Sequence, residues 1–220
     1  LSVAPGPMEE FDQYHGYILY RTRVPGGKKG TLYVHDVNDY ATVYLDGMLV
    51  DTIDKTLEQK SADLNMSPEK TYTLDLLVEA MGRPNFGPYM DERKGITHSV
   101  NLNHSYLLLN WHIYSLPMDY SFIRNLSFTS NKVNGPAFYK TEIEINKPGD
   151  TYLDMRGWGK GFVVVNGNNL GRFWNVGPQY DLFLPGAFLK KGKNEIIVFD
   201  IFPNDNPVIK ADKARRKSKE

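Results

Sequence analysis

Cysteine is absent from all 220 residues. That excludes disulfides, thiol nucleophiles and thiolate metal sites, and it leaves the redox compartment open. No apolar run approaches the roughly 18 residues of a membrane-spanning helix. No excess of either charge exists. Lys+Arg and Asp+Glu both number 26, so no global field draws the chain to nucleic acid or to a membrane. Histidine is scarce: His15, His35, His98, His104 and His112 are the whole set. None lies at a zinc-binding spacing, so a histidine metal site is not expected. The chain opens Leu1-Ser2-Val3, with neither an initiator Met nor a signal peptide. It reads as cut from something longer.

Hydrophobic residues make up 41% of the chain, with 14 Tyr and 11 Phe. This is enough for a real core, in a composition that suits β-structure. The stretch RGWGKGFVVVNGNNLGRFW, Arg156 to Trp174, holds five glycines and two tryptophans. It is not a phosphate cradle. Gly161 follows Gly159-Lys160 where a P-loop needs Ser or Thr, and Asp154 stands where its first glycine belongs. A dinucleotide fingerprint would lead into a helix, but Phe162-Val163-Val164-Val165 is a β-branched run. Asn166-Gly167 then supplies two residues that tolerate positive φ, so the stretch reads as strand, tight turn, strand.

The pattern occurs twice. Tyr20-Arg21-Thr22 matches Tyr139-Lys140-Thr141, and Thr31-Leu32-Tyr33-Val34 matches Thr151-Tyr152-Leu153-Asp154. Val43-Tyr44-Leu45-Asp46-Gly47 matches Val163-Val164-Val165-Asn166-Gly167. Apolar strands Tyr72–Val78 and Asn194–Asp200 close the halves, all at an offset of about 120 residues. Short strands between Gly/Pro/Asn turns, with almost no helical periodicity, predict an all-β fold of two tandem antiparallel β-sandwiches. Ala41, Val43 and Leu45 are expected to face one way, Thr42 and Tyr44 the other. The expected domains are 1–116 and 117–209, with the boundary near Leu116-Pro117-Met118. Residues 210–220, mostly charged and without an apolar face, are read as a frayed, flexible basic tail.

With the repeat in view, an ordered series stands out. It runs Gly157-Trp158-Gly159-Lys160-Gly161, Val165-Asn166-Gly167, Leu170-Gly171-Arg172, Trp174, Gly177-Pro178-Gln179, Leu184-Pro185-Gly186, Leu189-Lys190 and Asn194-Glu195-Ile196. It resembles the C-terminal domain of glycoside hydrolase family 35 β-galactosidases. Tyr17–Thr22, Asp46-Gly47, Met81-Gly82-Arg83-Pro84-Asn85-Phe86-Gly87 and Lys94-Gly95-Ile96 resemble the β-domain that precedes it in that family. The similarity covers about Met8 to Phe202. The resemblance implies galactose-binding-domain-like jelly rolls and a parent that hydrolyses terminal non-reducing β-D-galactosyl residues with retention. It favours an extracytoplasmic setting. It also implies a catalytic (β/α)₈ barrel in the same polypeptide, carrying both catalytic glutamates. Such a barrel takes about 250 residues, and nothing in this chain reads as one. Retaining chemistry needs two carboxyls about 5–5.5 Å apart, and no defensible pair is visible. No catalytic residue, cofactor or metal is assigned.

Candidate sites divide between chemistry and scaffold. Glu142 and Glu144 share a strand face opposite Ile143 and Ile145, which predicts a solvated outer face. Asp36-Val37-Asn38-Asp39 is either an Asx-rich turn or a partial oxygen cage for calcium. Trp158 and Trp174 either fill space that glycines leave or stack on sugar, with Lys160 and Arg172 in reach of hydroxyls or of an acidic partner. Asp46-Gly47 and Asn166-Gly167 are structural turns. The loop from Met81 to Tyr89 carries Phe86, Tyr89, Arg83 and Asn85, whose rings and polar groups suit sugar faces and hydroxyls. By resemblance this loop lies toward the barrel's cleft; otherwise its aromatics pack against the barrel. Asn65-Met66-Ser67, Asn103-His104-Ser105 and Asn125-Leu126-Ser127 are glycosylation triplets only if the source glycosylates. The expected role is a non-catalytic accessory region with a β-galactoside and the barrel as partners. The alternatives are an autonomous carbohydrate-binding module and an interaction or oligomerisation module.

Overall fold

The computed structural model describes residues 1–27, 30–131 and 133–215. The chain divides into two compact units, Leu1–Ile123 and Arg124–Glu220. Every strand pairing among the described residues is antiparallel.

The first unit comprises β1 (Tyr17–Pro25), β2 (Gly30–Val34), β3 (Val37–Asn38), β4 (Tyr40–Leu45), β5 (Met48–Asp54), β6 (Ser61–Leu64), β7 (Thr71–Glu79), β8 (Gly95–Ile96), β9 (Val100–Leu102), β10 (Tyr106–Leu107) and β11 (His112–Leu116). One sheet has the order β11-β1-β7-β4-β5 and the other β10-β9-β2-β6, with β3-β8 as a separate pair. Ile18, Tyr20, Val43, Leu74, Leu76 and Val78 of the first sheet pack with Leu32, Val34, Leu64 and Val100 of the second. β4 points alternate residues into this core, yet all six of its residues are buried, Thr42 and Tyr44 included. Alternation fixes which way a side chain points; it does not say that the outer face is wet.

The first unit continues past Leu116 through Pro117 and Met118 into a single helical turn, α1 (Tyr120–Ile123). Asp119 starts that turn, its Oδ1 accepting from Phe122 N at 2.8 Å and Ser121 Oγ at 2.7 Å. Ile123 is buried.

The second unit comprises β12 (Ala137–Ile145), β13 (Thr151–Asp154), β14 (Lys160–Val165), β15 (Asn168–Trp174), β16 (Asp181–Leu184), β17 (Gly192–Asp200) and β18 (Lys210–Asp212). Its sheets have the orders β12-β17-β14-β15 and β16-β13-β18. The four-stranded order repeats β1-β7-β4-β5 of the first unit strand for strand. Even the irregularity repeats: pairing shifts register between Val43 and Tyr44, and again between Val163 and Val164. Leu153, Trp158, Val163, Val165, Phe173, Leu182, Ile196 and Val198 form the core.

Residues 210–212 depart from the frayed end that composition pointed to. Lys210–Asp212 pair with β13, and Thr151 Oγ1 donates to the Asp212 carbonyl at 2.8 Å. A ladder is made by backbone groups and needs no apolar side chain. Residues 216–220 lie outside the described residues.

The loop beyond strand β7 as a candidate functional site

β7 ends at Glu79, and strand pairing resumes at Gly95. The chain between them is fixed at both ends. Met81 N donates to Asp39 Oδ2 at 2.7 Å. Asn38 Nδ2 donates to the Arg93 carbonyl at 2.8 Å. Lys94, only 1% exposed, donates from Nζ to Asp39 Oδ1 at 2.8 Å and Glu92 Oε2 at 2.8 Å. A buried ammonium demands this much pairing; stripped of partners it would cost several kcal/mol, on the order of 3–5. Lys55 also donates to Glu92 and to Asn38 Oδ1.

Glu9 joins the network from the N-terminal segment. It accepts from the Arg83 guanidinium, and from Lys94 N at 3.1 and 3.2 Å. Arg83 also donates to the Tyr14 carbonyl. Burial works against the charge on Glu9, but the Arg83 hydrogen bond and the backbone N–H groups outweigh it and hold the carboxyl below its ordinary range. Glu92 behaves alike: burial opposes its charge, while Lys55 and Lys94 prevail and lower its pKa.

Above this fixed base the tip stands free. Phe86 is 90% exposed and Tyr89 68%, with Asn85 and Met90 also exposed. Gly82 and Gly87 take φ of +128° and +100°, which reverses the chain where a side chain would be strained. Tyr89 borders a groove of 1080 Å³ that Asn38, Lys55, Glu92, Arg93 and His35 also line. Phe86 and Asn85 take no part in that lining. Arg83 is turned back on Glu9 and Tyr14 and anchors the loop.

The other candidates lie elsewhere in the two units. Asp36 accepts from Thr97 N through its carbonyl at 3.1 Å and from the Thr97 hydroxyl through its carboxylate. Asn38 and Asp39 are engaged by Lys55, Arg93 and Lys94 as described. No group of three His, Asp or Glu suited to a metal ion occurs among the described residues. Trp158 lies in the core, 4% exposed, edge-on to Tyr139 and Phe173, with Nε1 donating to the Val208 carbonyl at 3.0 Å. Trp174 is half-buried, and Lys160 Nζ sits 4.6 Å from its ring centre. Glu142 and Glu144 are exposed on β12, and Lys193 Nζ lies 3.4 Å from Glu142. Asp46 and Gly47 take φ of +49° and +79°, Asn166 and Gly167 +48° and +84°. Asn166 additionally donates from Nδ2 to the Phe188 carbonyl and to Asn194 Oδ1, both at 2.8 Å.

Sequence reasoning missed Glu9 and the burial of Lys94, and it read Asp39 as part of a turn or calcium cage rather than as the partner of Lys94. Lys94 belongs to a motif that the resemblance rests on, but nothing local marks it as buried. Glu9 meets Arg83 across 74 positions, and neither residue's neighbourhood names the other.

Two all-β sandwiches that share the order of one four-stranded sheet, the first bearing an exposed aromatic loop on a fixed base, define a tandem β-sandwich region. Residues 5–117 match the family model for the first all-β domain of β-galactosidase, and residues 136–194 match that for the β-galactosidase galactose-binding domain. The chain belongs to the β-galactosidase family. A β-galactosidase of Xanthomonas manihotis is 47% identical over 182 residues, 82% of this chain and 30% of the relative. β-Galactosidase 1 of Dictyostelium discoideum is 35% identical over 221 residues, 90% of this chain and 32% of the relative. The chain thus spans about a third of the length of these curated relatives. A solved α-L-rhamnosidase of Streptomyces avermitilis aligns over 85% of this chain and 22% of its own, at 12% identity and a TM-score of 0.31, too remotely to bear on fold or function.

Proposed function

We propose that this chain is a non-catalytic accessory region of a retaining β-galactosidase. In this reading it braces a catalytic barrel of the same polypeptide and supplies one wall of the cleft in which terminal β-D-galactosyl residues are hydrolysed. Phe86, with Asn85 and Tyr89 beside it, borders the side of the cleft that holds the leaving group. One observation carries this: a large aromatic side chain stands almost fully exposed at the tip of a loop whose base is fixed by a buried ion-pair network. An exposed Phe costs the chain apolar burial, and a rigid base costs it polar groups taken out of water. Both make sense when the tip has something to meet.

The chemistry fits a sugar. A ring edge or face packs on the apolar side of a pyranose, and an amide can bond its hydroxyls. Phe86→Ala in the full-length polypeptide tests the reading. The ratio of kcat/KM values among β-galactosyl disaccharides should shift by more than hydrolysis of a small activated galactoside does. Equal losses on both substrate types, or no change on either, would make Phe86 an inter-domain packing residue only.

A further inference from the structure

We propose that Glu9 and Arg83 form a clamp that fixes the Phe86 loop, making Glu9 a positioning residue for whatever Phe86 contacts. Its role in specificity rests on the cleft reading above; its geometry does not.

The loop has two arms. The outgoing arm leaves β7 and is held at Met81 and Arg83. The returning arm is held at Arg93 and Lys94. Among the described residues, no side-chain hydrogen bond holds Pro84 to Pro88, so the tip has only its base to define it. The Glu9 carboxylate touches both arms: Arg83 on one, Lys94 N on the other. Glu9 is itself strapped in place. It lies in the short turn Met8–Phe11, whose Met8 N donates to the Lys94 carbonyl at 2.7 Å. Pro7 bridges to Gly95, and Tyr20 Oη donates to the Gly6 carbonyl at 2.6 Å while accepting from Ile96 N at 3.1 Å.

The two parts of the network divide the work. Lys94 and Asp39 are buried and hold the fold whatever Glu9 does. Glu9 and Arg83 lie at the edge of that network, where the Arg83 guanidinium donates from Nη2 to Glu9 Oε1 and from Nη1 to the Tyr14 carbonyl, so one planar group ties the outgoing arm to two points of the N-terminal segment. Removing the Glu9 charge should therefore loosen the loop and leave the sandwich standing.

Chymotrypsin reads this directly, because Phe86 and Tyr89 are exposed cleavage points. In the 220-residue chain, well below its unfolding temperature, Glu9→Gln should be cut after these residues about fivefold faster than the parent, with an unfolding midpoint that falls only slightly, by less than a fivefold shift of the global equilibrium would produce. Arg83→Lys keeps the charge but loses the planar group, and should fall between. Unchanged cleavage overturns the clamp. So does faster cleavage accompanied by a matching fall in midpoint, since that is global opening. In the full-length polypeptide, Glu9→Gln should raise KM for a β-galactosyl disaccharide about threefold while kcat for a small aryl galactoside holds. Faster cleavage together with disaccharide kinetics that neither Glu9→Gln nor Phe86→Ala moves would uphold the clamp and remove the cleft reading.

Discussion

Gly161 passes so close to Phe199 that a Cβ on it would lie 1.8 Å from the Phe199 carbonyl oxygen. The two residues belong to adjacent central strands of the second unit, β14 and β17. Backbone, not a flexible side chain, blocks the space. Gly161→Ala must therefore push the strands apart, and a cost of at least about 3 kcal/mol is expected. Gly157, four residues earlier, has open space where a Cβ would stand, with nothing within 4 Å. Gly157→Ala should stay within about 0.5 kcal/mol of the parent. Denaturant melts of the pair check this; equal effects would contradict it.

The turn at Asn166-Gly167 offers a second test. Gly167 takes φ of +84°, where an L side chain is strained. Gly167→Val should lower stability by roughly 1–2 kcal/mol, with β-branching adding to it. Thermal unfolding measures the change, and an unmoved midpoint would contradict the left-handed turn.

These local features are the ones the sequence makes legible. A doubled strand pattern, an Asn-Gly pair and a β-branched run each act over a few residues, so spacing alone exposes them. The tandem β-sandwiches follow from them. The network was not legible, because Glu9 lies 74 positions from Arg83 and 85 from Lys94, and Lys94 lies 55 from Asp39. Arg83 looked like a free donor because its partner lies far away in sequence. The strand at Lys210–Asp212 was hidden for another reason. Its composition is that of a tail, and its order comes from β13's unpaired backbone edge.

The ion pairs around the loop set an acid response. Glu9 and Glu92 both have folded-state pKa values below the ordinary carboxylate range. A depressed pKa means that the folded state binds its proton less readily than the unfolded one. The stabilisation is therefore present above the ordinary glutamate value of about 4.3–4.5 and is lost as pH falls through the lower folded values. Asp200 runs the other way. Burial raises its pKa despite bonds from the Gly159, Lys160 and Phe202 N–H groups. Its contribution is fully present below the ordinary aspartate value and fades as pH rises through the raised one. The unfolding midpoint of the parent should fall below about pH 4.5, and that fall should be shallower in Glu9→Gln. Parallel curves for parent and variant would contradict the assignment to Glu9.

The decisive measurement is hydrolysis by the chain on its own. Purified and concentrated, it should be incubated with a chromogenic β-galactoside beside a full-length β-galactosidase. No turnover above the uncatalysed rate is expected, since a non-catalytic accessory region carries no facing carboxylate pair to protonate the leaving group and attack the sugar. Turnover that co-purifies with the chain and disappears on mutation of one of its own carboxylates would contradict that assignment outright.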